Sequence, residues 1–175
     1  MPLRQLIVKW TVQGVINPQY FYFLALDTDD DPNSGPIPVL IDPVGATNGW
    51  GVIDTTGKPP PVYVEMNAGS VLFFVNGVFV GVPFEARIEN GNTIVIVLDL
   101  DQVTTTAHNL DLNVINAQTL LPPSDPTEPR EIDALNTYIT IPIDQGGFFS
   151  GSADLGTATL PDLTITHWEV EVRLQ

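Results

Sequence analysis

Oxygen-bearing side chains recur at every second position directly after an aromatic segment. These residues are Asp27, Asp29, Asp31 and Asn33. A loop that curls can point such oxygens inward, and hard cations such as Ca²⁺ take about six to eight oxygen ligands. The spacing therefore predicts a structural calcium site, for which Asp42 or backbone carbonyls supply the remaining ligands.

The same loop departs from the EF-hand calcium loop, which its first positions resemble. An EF-hand requires glycine at the sixth position and glutamate at the twelfth, where this chain has Pro32 and Pro38. The alternative is a solvated acidic turn in which Asp27 caps amides of the loop. Neighbouring aspartates repel one another, and a cation would relieve that repulsion. Both hypotheses stay open at this point.

Aromatic residues flanked by glycine and serine form a second candidate site. Trp50 lies between two glycines, and Phe148 and Phe149 lie in the segment 146–151, for which we predict a flexible loop. Sugars stack on exposed aromatic rings, so these three residues are candidate ligand-binding positions. Alternatively, each ring folds back to close the end of the fold, or an exposed pair contacts a protein partner.

The residue types that most catalytic sites need are scarce. The chain has no cysteine and two histidines, His108 and His167, which we expect on the surface. The sequence contains no nucleophile elbow, zinc-protease motif or phosphate loop. Asp99 and Asp101 follow a predicted strand and are expected to form a turn or to bind a second ion. We therefore predict that the protein is not an enzyme.

The charge of the chain excludes several classes of partner. Lys+Arg 6 against Asp+Glu 21 gives a formal net charge of −15 at pH 7. Phosphate backbones and anionic membranes repel such a chain, and no apolar run approaches the ~18 residues of a membrane helix. We expect neither nucleic-acid binding nor membrane insertion. The N-terminus does not resemble a signal peptide, because its apolar run stops at Lys9.

Short apolar or alternating segments separated by turns predict an all-β protein. The segment 20–27 is apolar at successive positions, as in a central strand, whereas 165–174 alternates. We predict a single jelly-roll-like antiparallel β-sandwich over residues 1–175 with roughly nine to eleven strands, and a proline-rich surface excursion at 121–131. The expected strands cover 3–12, 20–27, 37–41, 62–66, 71–75, 78–80, 84–88, 94–98, 110–115, 138–143 and 165–174.

Two Asn-Gly pairs, Asn76-Gly77 and Asn90-Gly91, lie between apolar runs. A two-residue turn of this kind requires positive φ at both positions, which asparagine and glycine tolerate best. We predict a hairpin at each pair, and the two hairpins together predict an antiparallel meander.

Two stretches resemble a group of secreted sandwich domains. The run Phe23–Gly35 is similar to the strand and Asp-x-Asp-x-x-Pro-x-Thr/Ser-Gly signature of DOMON-like and family-9 carbohydrate-binding-module-like domains, and 110–115 resembles a later strand of such modules. The resemblance implies a sandwich outside the cytoplasm, with a structural calcium and a surface for glycans or haem-like cofactors. Haem is disfavoured, because Met66 is the one methionine besides the initiator and neither histidine lies in a ligand motif.

These features suit two functions of different classes. The first is a non-catalytic, calcium-stabilised binding module at the cell surface or outside the cell that recognises a glycan or a surface polymer. The second is a structural subunit that assembles with copies of itself in a surface layer, an extracellular filament or a virion, with residues 1–10 and 121–131 reaching a neighbour. A groove lined by Trp50 and Phe148 would favour the first function, and an apolar edge or arm the second.

Overall fold

The computed structural model describes residues 4–38, 60–119, 131–153 and 158–175. In these residues twelve strands form two antiparallel sheets around an apolar core, with one short helix, so the predicted all-β sandwich is confirmed, with slightly more strands than expected. The strands are β1 (Arg4–Val12), β2 (Phe21–Asp27), β3 (Val62–Asn67), β4 (Ser70–Val75), β5 (Val78–Gly81), β6 (Glu85–Glu89), β7 (Thr93–Asp99), β8 (Asn109–Ala117), β9 (Ile132–Ala134), β10 (Ile139–Pro142), β11 (Gly147–Ser152) and β12 (Ile165–Leu174), and the helix is α1 (Leu100–Val103).

The two sheets differ in size. The five-stranded sheet has the order β11-β12-β1-β7-β6, and the seven-stranded sheet has the order β10-β8-β2-β3-β4-β5, with β9 also paired to β8. The strands β10 and β9 pair with the first and last parts of β8, respectively. The predicted excursion at 121–131 falls on residues outside the described part of the chain, apart from Glu131.

The strand β2 lies in the middle of the seven-stranded sheet, as its run of apolar residues predicts. It pairs with β8 on one side and with β3 on the other. Tyr22, Leu24 and Leu26 enter the core between the sheets, whereas Phe23 and Ala25 join a second apolar cluster on the outer face. Full burial of one such large side chain contributes about 1.5–3 kcal/mol to folding, so both faces of β2 stabilise its central position.

The strand β1 alternates as expected but has a different role from the one predicted for the N-terminal segment. Leu6, Val8 and Trp10 point into the core, and β1 pairs with both β12 and β7 in the centre of its sheet. Residues 4–10 therefore cannot reach a neighbouring copy, and the expectation of an N-terminal arm is wrong for them. Sequence alternation indicates which face is buried but not which strands lie on either side.

Both Asn-Gly hairpins are confirmed, but the meander that we predicted from them is not. The turn residues have φ of 51° and 75° at Asn76 and Gly77, and 54° and 76° at Asn90 and Gly91. The first hairpin joins β4 to β5 in the seven-stranded sheet, and the second joins β6 to β7 in the five-stranded sheet. The chain therefore crosses between the sheets at 82–84, and the hairpins do not form one continuous sheet.

Hydrogen bonds between buried polar groups connect the two sheets at one end of the sandwich. The Trp10 indole donates to Asn116 Oδ1 at 3.1 Å, and Asn116 Nδ2 donates to the Leu163 carbonyl at 2.7 Å. Asp133, on β9, accepts a hydrogen bond from the Ile165 amide at 2.6 Å, where β12 begins. Because a buried polar group without a partner costs about 1–3 kcal/mol, these contacts fix how the segment before β12 enters the five-stranded sheet.

Candidate functional site

The acidic loop after β2 is a series of side-chain caps on its own backbone. Asp27 Oδ1 accepts from the Asp29 amide at 3.2 Å, Asp29 Oδ1 from the Asp31 amide at 2.8 Å, and Asp31 Oδ1 from the Asn33 amide at 3.0 Å. Each contact spans two residues, which is the Asx-turn pattern. The spacing of every second residue therefore has a local structural cause, as the acidic-turn hypothesis predicts for Asp27.

Asp30, between these positions, binds a different part of the chain. Its φ of 61° is in the left-handed region, and this conformation directs its carboxylate to the start of β8. There the carboxylate accepts from the amides of His108 at 2.8 Å and Asn109 at 2.7 Å. Asp30 was not among the candidate residues, because its role depends on the distant pairing of β2 with β8.

A second buried carboxylate lies directly opposite Asp27. Asp111 is its register partner across β2 and β8, and the two residues are 2% and 3% exposed. Burial, and then the neighbouring Asp29 carboxylate, raise the pKa of Asp27 to about 6. Burial also raises the pKa of Asp111, while a hydrogen bond from Thr140 lowers it. The ionised forms of both buried groups are thus disfavoured.

Tyr138 closes the other side of the acidic loop. Its hydroxyl donates to the Pro32 carbonyl at 2.9 Å, and its ring lies so close to Gly35 that a Cβ there would be 2.5 Å from the ring Cγ. Burial raises the pKa of Tyr138, and the nearby carboxylates, first among them Asp111 and Asp31, raise it further. The glycine of the predicted signature is therefore needed for packing against this ring.

The calcium site stays a prediction. In the described residues no group of three or more His, Cys, Asp and Glu side chains is arranged to hold a metal ion, and Asp42 lies outside that part of the chain. Asp27, Asp29 and Asp31 each accept a backbone amide through Oδ1, so an ion would need their Oδ2 atoms. The structure thus brings Asp27, Asp29, Asp31 and Asn33 into one short turn without forming a recognisable ligand sphere.

The two aromatic candidates in the described residues, Phe148 and Phe149, lie on opposite faces of one strand. Trp50 lies outside the described residues. The segment predicted as a flexible loop is the strand β11, which pairs with β12; its Gly151 leaves room for the Trp168 ring, which a Cβ would approach to 2.8 Å. Phe148 is 62% exposed, whereas Phe149 packs against the core. Successive residues of a strand face opposite sides, so the two phenylalanines cannot act as a joint platform.

The two histidines lie at the surface, as expected. His108 Nδ1 is 2.6 Å from Asp144 Oδ2, and the hydrogen bond that this carboxylate accepts raises the pKa of His108. His167 Nε2 is 3.3 Å from Glu169 on the same strand. The predicted turn at Asp99 is also present, since this residue caps α1 by accepting from the Asp101 amide. These contacts are of the kind that solvent-exposed charges make with near neighbours.

An apolar surface lies along β5 and the connection to β6, and we call residues Val78–Phe84 the β5 edge. In the described part of the chain, β5 is the last strand of the seven-stranded sheet. Its large side chains are half exposed or more, with values of 62% for Val78, 54% for Phe79, 53% for Val80, 68% for Val82 and 51% for Phe84. The sequence predicts the hairpin but not this exposure, which depends on where the sheet ends.

The aromatic rings behind the β5 edge hold its outer face in place. The Tyr63 and Phe74 rings stack with centroids 4.5 Å apart, and the Phe74 and Phe79 rings meet edge to face at 5.8 Å. Pairs of this kind contribute about 0.5–1.5 kcal/mol beyond the area they bury. The exposed Phe79 is therefore the end of a row of rings that crosses β3, β4 and β5.

The β5 edge differs in charge from the last strand of the other sheet. No residue from Met66 to Phe84 carries a charged side chain. The strand β6, in contrast, carries Arg87 between Glu85 and Glu89, and the guanidinium binds both carboxylates. Charged residues on an outer strand hinder pairing with another chain. The described part of the molecule thus has one protected edge and one apolar edge on the same side.

A cavity of about 410 Å³ opens between the two sheets on this side. Its walls include Met66 and Val71 from the seven-stranded sheet and Ala86 and Ile88 from β6. The cavity shows that β6 lies over β3 and β4, so that the hairpin carrying β5 extends beyond the five-stranded sheet. This position explains why Val78 and Val80, on the inner face of β5, are exposed.

Comparison of the chain with protein-family models, with curated proteins and with solved structures found no match. A search of the described residues also found no helix with the length and apolar character that crossing a membrane requires.

Proposed function

We propose that the protein is a structural subunit that assembles with copies of itself through the β5 edge. The observation that carries this proposal is the exposed, uncharged row of large apolar side chains on the last strand of the seven-stranded sheet. Of the two functions that the sequence suggests, an apolar edge favours the structural subunit. The glycan-binding function has less support, because Phe148 and Phe149 lie on opposite faces of β11 and do not form a joint platform.

The sequence of β5 is that of an inner strand. Val78 and Val80 are apolar on one face and Phe79 on the other, and strands with two apolar faces are normally covered on both sides. An added strand would satisfy the outward-facing backbone groups of β5 and bury side chains on both faces. Pairing with another chain would therefore bury the apolar side chains of β5 and satisfy its backbone hydrogen bonds.

The charge of the protein indicates a partner of the same kind. Copies that each carry a formal net charge of −15 repel one another, and this repulsion is weakest where two uncharged surfaces meet. The uncharged stretch from Met66 to Phe84 provides such a surface. A strongly basic partner would instead bind the acidic remainder of the molecule, because the uncharged β5 edge offers it no electrostatic attraction.

The size of the edge predicts weak association at one contact. Full burial of a Val or Phe side chain contributes about 1.5–3 kcal/mol, so burying the exposed half of five such side chains contributes roughly 5 kcal/mol. Strand pairing adds on the order of 1 kcal/mol for each hydrogen bond. Association itself costs an estimated ~4–15 kcal/mol. We therefore expect assembly that depends strongly on protein concentration and salt, because salt screens the repulsion.

The proposal is tested with Val80→Glu, which places a charge on the β5 edge at an exposed position. Sedimentation velocity over a range of concentrations should show association of the parent protein and loss of association in the variant. Val15→Glu is the matched control, because Val15 is 57% exposed and lies in the connection after β1. A parent protein that stays monomeric at high concentration and high salt would refute the proposed function.

A further inference from the structure

The five outer strands of the described sandwich fall into two classes. The strand β6 carries three charged residues, β9 carries Asp133, and β10 ends in Pro142, which has no amide hydrogen to donate. Neither β5 nor β11 contains a charged residue or a proline. Since charges and prolines are the usual means of blocking an outer strand, β5 and β11 are the two strands that remain suited to pairing.

These two strands lie on opposite sides of the molecule and belong to different sheets. The strand β6 lines a cavity together with residues of β3 and β4, and β4 is the neighbour of β5 in its sheet. On the other side, Ile139 of β10 and Ser152 of β11 line a common smaller cavity together with Trp168. A copy that uses its β5 on one side therefore keeps its β11 accessible on the other.

We infer that assembly is head to tail, with β5 of one copy pairing with β11 of the next, and this inference rests on the proposed function. The exposed Phe148 on β11 is 62% accessible and has only glycine, serine and Phe149 as neighbours on its strand. The valines and phenylalanine of β5 are bulky, so that large residues of one strand would face small residues of the other. Neither strand carries a charged residue, and the nearest charges to β11 are Glu169 and Glu171, which lie opposite Ser150 and Phe148 on β12.

The alternative contact is a two-fold pairing of β5 with β5. That arrangement closes after two copies and leaves the exposed Phe148 without a role. A heterologous contact, in contrast, uses two different surfaces of each copy. It produces an open chain of copies unless the rotation between them closes a ring. The inference therefore assigns a function to Phe148 that differs from the sugar platform suggested by sequence, and it extends the assembly beyond a dimer.

The experiment blocks each surface separately and then mixes the products. Val80→Glu blocks β5, and Phe148→Glu blocks β11; both positions are more than half exposed. For head-to-tail pairing, each variant by itself should be monomeric at 19.0 kDa. An equimolar mixture should form a species of about twice that mass, because one free β5 and one free β11 remain. Val15→Glu should assemble like the parent.

The outcomes separate this inference from the proposed function. If Phe148→Glu assembles like the parent and Val80→Glu does not, the two-fold contact is present and the inference is overturned, while self-assembly stands. A mixture that remains monomeric also overturns the inference. A monomeric parent protein overturns both. Circular dichroism verifies that each variant is folded, and Phe148→Ser provides a second, uncharged block of β11 if the glutamate variant does not fold.

Discussion

Replacement of Asp27 by asparagine should stabilise the protein at pH 8 and leave its stability nearly unchanged at pH 4. The pKa of Asp27 in the folded protein is raised from 3.8 to about 6 by burial and by Asp29. The protonated carboxyl therefore contributes stability that is fully present below about pH 3.8 and is lost as the pH rises through about 6. A shift of about two pKa units corresponds to roughly 3 kcal/mol.

The asparagine variant avoids this cost because its amide stays neutral. The amide oxygen accepts a weaker hydrogen bond from the Asp29 amide than a carboxylate does, and this loss amounts to about 1 kcal/mol. We expect a net gain of about 1–2 kcal/mol in the free energy of unfolding at pH 8, measured by urea unfolding in the presence of chelator. Asp101→Asn is the control, since this substitution also removes one negative charge, but from an exposed ion pair with Arg4. Loss of stability in Asp27→Asn at pH 8 in chelator would refute the burial argument.

The same experiment in calcium tests the predicted ion site. A bound ion holds the loop carboxylates in their ionised form, and a ligand at 100 times its Kd adds ~2.7 kcal/mol to the stability of the folded state. If the acidic loop binds calcium, the parent should gain stability in millimolar calcium and Asp27→Asn should gain much less. Equal responses of parent and variant to calcium would leave the loop as a self-capped acidic turn.

Three further substitutions test individual contacts by urea unfolding. Asp30→Ala should destabilise the protein, because it removes the acceptor for the amides of His108 and Asn109; Asp31→Ala should destabilise it less, and the reverse order would contradict the assignment. Gly35→Ala should cost about 1–3 kcal/mol, because the added Cβ overlaps the Tyr138 ring, and no change would show that the ring moves freely. Asn116→Ala should cost about 2–4 kcal/mol, since it removes partners from the β1 indole and a buried carbonyl, and a loss below 1 kcal/mol would show that water replaces them.

The parts of the fold that sequence could predict are those with local causes. The turn at Asn76-Gly77 requires positive φ at both residues, and this requirement is visible in two adjacent residues. The central position of β2 follows from its unbroken apolar run, because an outer or half-exposed strand would carry polar residues at alternate positions. In each case the decisive physical property belongs to the segment itself.

The parts that sequence could not predict depend on pairing between distant segments. The strand β11 has the glycine and serine content of a loop, and it becomes a strand through pairing with β12 and through the Trp168 ring that covers Gly151. Asp111 joins the acidic loop because the register of β2 and β8 places it opposite Asp27. No local signal in residues 110–115 indicates that position.

The exposure of the β5 edge has the same origin. An apolar sequence such as Val78–Gly81 predicts burial, and most strands of this composition in the chain are buried. The structure places β5 at the end of the seven-stranded sheet, beyond the cover of β6, and the side chains are exposed for that reason. The difference between sequence preference and position is the basis of the proposed assembly.

Hydrogen exchange of the β5 amides tests the central claim most directly. The claim predicts that the amides of Val78–Gly81 become protected as protein concentration increases, while those of the charged strand β6 keep the same exchange rate at every concentration. Protection of β5 that rises together with the mass of the assembly would support pairing at this strand. Assembly without any change in β5 exchange would contradict the account, because the copies would then associate through another surface.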